Sequence, residues 1–268
     1  GSGESGGKAG AGGNGNPAGA GGAAGRTGSG GTGTTGGTTT GGSAAAGTTG
    51  SGGTGAAAGS GGTTATTELI DDFEDRDLVL LMIKKRNGPW YAFNDGSKTD
   101  SQTFGIALLT DADARSGSSS TAGLHMTAAS GFTGFGAGFG ADFVNTQAKK
   151  VAYDVSAYKG VRFYAKIGSG AQSAMKVLFP TTYSDPMGGK CNDAVAMMGC
   201  NDHLFELVTS ITTTWAVYEV DFSDLTQQGF GLPQASLDPT SVYSVQFTLS
   251  TAAFPADVWL DDISFVLK

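Results

Sequence analysis

From residue 68 onward, apolar and polar residues alternate in short runs broken by Gly, Asp, Asn, Ser and Pro. In "GVRFYAKI" (160–167), Val161, Phe163, Ala165 and Ile167 share one side, and Arg162, Tyr164 and Lys166 share the other. "WAVYEVDF" (215–222) aligns Tyr218, Val220 and Phe222. In "VYSVQFTLS" (242–250), Val245, Phe247 and Leu249 point inward, leaving Ser244, Gln246 and Thr248 outward. "AGLHMTAA" and "MKVLFP" keep the same period, and "DVWLDDISFVL" supplies a last strand. A period of two marks a strand with one buried face, and no helical period persists for long. The pattern predicts an all-β domain, a two-sheet antiparallel β-sandwich of the jelly-roll kind.

The N-terminal quarter departs from this. Residues 1–67 contain no aromatic residue and no Leu, Ile, Val, Met or Cys, yet hold 28 of the 46 glycines. Such a segment cannot bury enough apolar surface to offset its ordering entropy. A disordered Gly/Ser/Thr/Ala-rich linker is expected over 1–67, followed by one domain over 68–268. The linker has one acid and two bases, so with −8 on the whole chain the domain carries about −9. That balance argues against nucleic acid, which needs a basic footprint, and against anionic lipid. The longest apolar run, Leu78–Ile83, is far too short to span a bilayer. A signal sequence, a lipid-carrying cysteine or a longer partner ahead of Gly1 all suit a domain held away from a surface.

Cys191 and Cys200 are the two cysteines of the chain. Their spacing suits a disulfide-closed loop, worth roughly 2.5–3 kcal/mol in the chain-entropy treatment. A metal site would need two further ligands, and only His203 is near. The disulfide implies an oxidising, extracellular or cell-surface location.

Catalytic chemistry finds little support. Glycoside hydrolysis needs two carboxylates flanking a cleft, and no spacing marks a pair among Asp142, Asp154, Asp185, Asp202 and Glu206. No G-x-S-x-G elbow occurs, and His125 and His203 each stand alone. "GFGAGFG" (134–140, with its neighbours) resembles a phosphate loop only superficially, because no lysine follows; close backbone packing in a strand or loop explains it better.

The order "IDDFED", "YDVSAYKGVRFYAKI", "DHLFELV", "WAVYEVDFSDL", "LDPTSVYSVQF", "VWLDDISFV" resembles carbohydrate-binding modules of the galactose-binding-like jelly-roll fold, most nearly the β-glucan-binding family 11. The stretches "GPWYAFNDGS" and "FPTTYSDPMGGKC" suggest a bacterial, surface-exposed subgroup. The resemblance implies that the first and last strands lie side by side, so the acidic pairs Asp71–Asp72 and Asp261–Asp262 meet. It also implies a structural calcium there, held by Asp72, Glu74 and Asp261, with Asp262 as a further ligand; hard oxygen donors suit that ion. Sugar contacts are carried onto Tyr164 and Gln246, the latter standing where family 11 tends to have histidine. Arg162 shares their outward face, and "TQQGFG" brings Gln227 and Phe230 to the same cleft. Trp90, Tyr91, Tyr183, Asp202 and His203 are expected at its rim, Trp90 being equally suited to plugging the core. Trp215 and Trp259 are assigned to core or edge packing. The reading is non-catalytic binding of a polysaccharide, a β-glucan or cell-surface glycan, by a tethered, exported sandwich. The alternative is a surface adhesion or assembly protein whose sandwich binds another protein; a glycoside hydrolase ranks below both.

Overall fold

The computed structural model describes residues 66–268 except 99–101, 112, 147–148, 172–173, 196, 208–210 and 250–254. The expected linker, up to residue 65, lies outside the described residues.

The strands in chain order are β1 (Thr67–Asp71), β2 (Trp90–Asn94), β3 (Gln102–Leu108), β4 (Ala122–Ala128), β5 (Ala137–Asp142), β6 (Val144–Thr146) and β7 (Lys149–Val151). They continue as β8 (Tyr158–Ile167), β9 (Met175–Phe179), β10 (His203–Leu207), β11 (Ala216–Asp221), β12 (Ser244–Leu249) and β13 (Ala256–Leu267). One sheet runs β11-β8-β13-β4-β3, with β1 also paired to β13; the other runs β10-β9-β12-β5-β2. All pairings are antiparallel, and β6 and β7 form a separate small hairpin.

The period-two faces meet between the sheets. Val161, Phe163 and Ala165 from β8 oppose Val245, Phe247 and Leu249 from β12, all fully buried. Phe247 stacks on Phe139 at 5.4 Å between centroids and takes the edge of Phe163 at 5.2 Å, tying β5, β12 and β8 together. Burying each such side chain stabilises the fold by roughly 1.5–3 kcal/mol.

The first strand pairs with the last, with Glu68 opposite Phe265 and Asp71 opposite Ile263. Arg86 is fully buried and pins this closure, donating to Glu68 Oε1 at 2.7 Å and to the Leu69 carbonyl at 2.5 Å. Asp71 ends β1 inside the core. Its Oδ1 accepts the Phe73 amide at 2.9 Å and its Oδ2 the Trp90 indole N–H at 2.7 Å. The first bond holds Phe73 at φ 60°, a left-handed conformation an aromatic residue rarely adopts, and so drops the Phe73 ring beside Trp90.

Candidate functional site

The outer face of the five-stranded sheet is hollow because β5 carries glycine at alternate outward positions. A Cβ on Gly138 would stand 2.6 Å from the Phe93 ring, and one on Gly140 2.7 Å from Cγ of Gln246. Without them, Phe93 from β2 and Gln246 from β12 lie down across β5. Phe93 joins Tyr91 (centroids 6.2 Å) and Phe135 (6.3 Å) in an aromatic ridge along the β2 edge. On the β10 side stands Phe230, 57% exposed. The cleft between them measures about 700 Å³ and is floored by Lys176, Leu178, Leu204, Gln246 and Thr248. Ser184–Pro186 and the disulfide loop, through Asp193, Cys200, Asn201 and Asp202, wall its remaining side. Cys191 and Cys200 are bonded.

The polar groups here are mostly held. Lys176 pairs with Glu206 at 2.9 Å. Lys150 bridges Asp185 (2.8 Å) and Asp142 (3.5 Å) behind the cleft, beneath the Tyr91 ring. Gln246 donates to the Tyr91 hydroxyl at 3.0 Å, which fixes its amide across the floor. Burial pushes the Asp202 carboxyl up to about 6, and its Oδ1 has no hydrogen-bond partner. Flat apolar rings on two walls, with amide, hydroxyl and ammonium groups between them, suit a ligand with alternating C–H faces and hydroxyl edges. Among the described residues no histidine lines the cleft.

The structure divides the residues named from sequence. Gln246, Phe230 and Asp202 meet in the cleft, and Tyr91 supports it from behind. Tyr164 and Arg162 do not. They belong to β8, in the other sheet, and face outward on the opposite side of the molecule. Alternation separates inside from outside but does not say which sheet a strand joins, and the single-face expectation failed there. Trp90 is core, 3% exposed against Phe73. His203 is buried on the inner side of β10, and burial lowers its pKa. Gln227 braces its own loop, donating to the Asn201 carbonyl at 2.6 Å and accepting the Gln234 amide at 2.6 Å. Tyr183 sits half-buried in the Thr181–Ser184 turn and lines no part of the cleft. Sequence reasoning missed Phe93, Phe135, Lys176, Leu178, Leu204 and Asn201. The glycine alternation of "GFGAGFG" was the available signal, since a strand without side chains on one face leaves room for something else.

On the six-stranded sheet, His125, Trp259, Lys166 and Trp215 form a cross-strand row. His125 stacks on Trp259 at 3.9 Å, and the Lys166 ammonium lies 5.0 Å from the Trp259 ring and 5.6 Å from that of Trp215. A hollow of about 470 Å³ on this face is lined by Trp215, Lys166, Tyr164 and Arg115.

The four acids named for calcium only partly converge. Asp72 caps the Glu74 amide at 3.3 Å, and Asp262 is paired with Arg115. Glu74 accepts from Ser120 Oγ (3.1 Å) and from the Thr121 amide (2.7 Å) and hydroxyl (2.6 Å). The same Ser120 lies against the fully buried Asp261, which burial pushes up to about 6 and whose Oδ2 has no hydrogen-bond partner. Arg115 Nη2 stands 3.6 Å from that oxygen. Among the described residues no three acidic, His or Cys groups gather closely enough to hold a metal. The donor set therefore reduces to Glu74 and Asp261, with an arginine already beside them.

Residues 81–266 match the family model described as carbohydrate binding domain 30. Curated proteins give no match. Similar solved structures include the family 11 carbohydrate-binding module of the cellulosomal cellulase Lic26A-Cel5E of Clostridium thermocellum, with 12% identity, coverage of 75% of this chain and 95% of that one, and TM-score 0.47. A family 30 carbohydrate-binding module shows 15% identity, coverage of 62% and 74%, and TM-score 0.41. TmCBM61, solved with β-1,4-galactotriose, shows 10% identity, coverage of 74% and 94%, and TM-score 0.36. With the family model spanning most of the sandwich, this chain belongs to the carbohydrate binding domain 30 family.

Proposed function

We propose that the cleft on the five-stranded sheet binds a polysaccharide, a β-glucan or a cell-surface glycan, without cleaving it. The observation that carries this is the pair of aromatic walls, Phe93 with Phe135 and Phe230, set over Gln246, Thr248 and Lys176. Stacking an aromatic ring on a pyranose face takes apolar surface of both out of water, worth roughly 25 cal/mol per Å² buried. The cleft offers no assigned acid and nucleophile pair for hydrolysis: Asp185 is held by Lys150 and Asp193 by the Cys200 amide, which leaves Asp202 without an assigned partner carboxylate. Retardation of the domain in gels containing soluble glucans, with albumin as control, tests the reading. Phe93→Ala and Phe230→Ala should each abolish most of the retardation, and Tyr164→Ala, on the opposite sheet, should leave it intact. Indifference of retardation to both phenylalanines would exclude this cleft.

A protein-binding sandwich is the second reading, favoured by exposed apolar residues of the disulfide loop, Val195, Met197 and Met198, and of the preceding turn, Met187. The disulfide supports an exported setting. No helix among the described residues is long and apolar enough to cross a membrane. We keep a structural calcium as part of the proposal, resting on Glu74 and the partnerless Oδ2 of Asp261.

A further inference from the structure

Phe230 stands on a loop with no strand of its own, and its exposed ring gains little from packing. Something else must hold it on the cleft wall. The fold provides one residue for this. Asn201 follows directly on Cys200 and is 4% exposed. Its side-chain nitrogen Nδ2 donates to the Gln228 carbonyl at 2.5 Å and to the Phe230 carbonyl at 2.6 Å, using both of its protons. Its backbone carbonyl accepts from Gln227 Nε2 at 2.6 Å. Beside it the Leu232 amide donates to the Gly199 carbonyl at 2.9 Å. Gly231 lies so close to Gly199 that a Cβ there would overlap the backbone, and its φ of 73° is one that glycine adopts freely. Asn201 is thus the joint between two loops. One is anchored by the Cys191–Cys200 bond, and the other carries Phe230 and Gln228 into the cleft.

We infer that Asn201 is a positioning residue for glycan binding, acting through Phe230 rather than touching sugar. This rests on the cleft assignment made above. The side-chain chemistry is specific. Two backbone carbonyls need two donors on one small side chain, which an amide supplies and a carboxylate of the same shape does not. Asn201→Asp would set two acceptors against two acceptors and push the 228–230 segment away. Asn201→Ala would remove the side-chain donor from the Phe230 carbonyl, leave the Gln228 carbonyl only the Phe230 amide at 2.7 Å, and free the segment to move.

The experiment is a double-mutant cycle on the full chain, read by affinity for a soluble mixed-linkage β-glucan and by amide hydrogen exchange. Phe230→Ala is expected to weaken binding about tenfold, the loss of one aromatic contact. Asn201→Ala and Asn201→Asp should each weaken it by a similar factor. The double variant Asn201→Ala/Phe230→Ala should be no weaker than Phe230→Ala, because residues acting as a unit are not additive. A hundredfold loss in the double variant, or full affinity in both Asn201 variants, overturns the inference. Exchange supplies a readout independent of any sugar. The Leu232 and Gln234 amides should lose protection in both Asn201 variants, while those of β8 and β12 keep theirs. If wild type binds no β-glucan, the cleft assignment fails in that form, and exchange alone decides: unchanged protection at 232 and 234 overturns the positioning role, and selective loss upholds it. Loss of protection across β8 and β12 as well, in both Asn201 variants, would mark Asn201 as a residue of global stability and overturn the inference.

Discussion

Asp71 makes the stability of this domain depend on pH in a direction opposite to that of most paired carboxylates. The group is fully buried at the end of β1, and burial pushes its pKa up from 3.8 to about 7 against the two N–H donors that favour its charged form. A carboxyl whose folded value lies above its unfolded value takes up its proton first in the folded state. Its contribution is therefore gained as pH falls from about 7 toward 4 and lost as pH rises through 7. The whole displacement corresponds to about 4 kcal/mol. Between pH 8 and pH 5 on the order of 2.5–3 kcal/mol of it is titrated. For a domain of this size that raises Tm by about 5–10 °C. Asp202 and Asp261, each pushed up to about 6 by burial, add to the same trend, and His203, lowered by burial, opposes it below its ordinary value. Comparison with Asp71→Asn isolates the residue. That variant removes the titration and turns an amide N–H₂ toward either the Phe73 amide or the Trp90 indole, so it should melt lower by about 1–3 kcal/mol at pH 5 and show a flatter profile. Thermal melts at constant ionic strength from pH 5 to pH 8 measure both. A wild-type Tm that is flat or rises toward pH 8, or an Asp71→Asn profile parallel to wild type, would refute the reasoning and show that the two N–H donors outweigh desolvation.

Other expectations follow from the same geometry. Gly138→Ala places a Cβ 2.6 Å from both the Phe93 ring and the Phe247 carbonyl, and should cost about 1–3 kcal/mol in chemical denaturation while weakening glycan binding through the displaced ring. Calcium at a hundredfold excess over its dissociation constant should stabilise the domain by roughly 2.7 kcal/mol, reversed by chelator and absent in Asp261→Ala; a Tm indifferent to calcium leaves Arg115 as the sole counter-charge at the seam. Limited proteolysis should trim the full chain to a resistant core starting near Thr67, and a protected N-terminus in hydrogen exchange would contradict the linker expectation.

The architecture was legible because the code for it is local. Val161, Phe163 and Ala165 alternate with Arg162 and Tyr164, and that alone states strand, buried face and outer face. The disulfide was legible too, from two closely spaced cysteines with only His203 near enough to compete as a metal ligand. What alternation does not carry is the partner of each strand. Arg162 and Gln246 look equivalent in sequence, both outward in well-patterned strands, yet β8 and β12 lie in different sheets and their outer faces point apart. The cleft walls were still less visible. Phe93 and Phe135 come from β2 and from the loop before β5, and they join only because β5 lacks side chains beneath them. Asn201 carries no motif at all, and its role exists only once two loops distant in sequence are brought together.

The acidic pairs show the same limit from the energetic side. Sequence places carboxylates at both ends of the domain, and the antiparallel pairing of β1 with β13 does bring those ends together. Each pair then splits by burial. Asp71 turns into the core and Asp261 is buried on the outward side of β13 beside Tyr164, so desolvation dominates for both, while Asp72 and Asp262 are half-buried and are taken up by a turn amide and by Arg115. Simple strand alternation does not produce this division: Asp72 lies past the end of β1, and Asp262, at φ 46°, sits where the register of β13 on β8 shifts. One member of each pair is buried, and its carboxyl therefore has to be compensated. For Asp71 the answer is two N–H donors. For Asp261 it is the Asp262 amide on Oδ1 at 2.8 Å, the Ser120 hydroxyl, an arginine 3.6 Å away and one oxygen with no hydrogen-bond partner, and that remaining oxygen is why the calcium titration, more than any further reading of the strands, discriminates between a seam closed by protein alone and one completed by an ion.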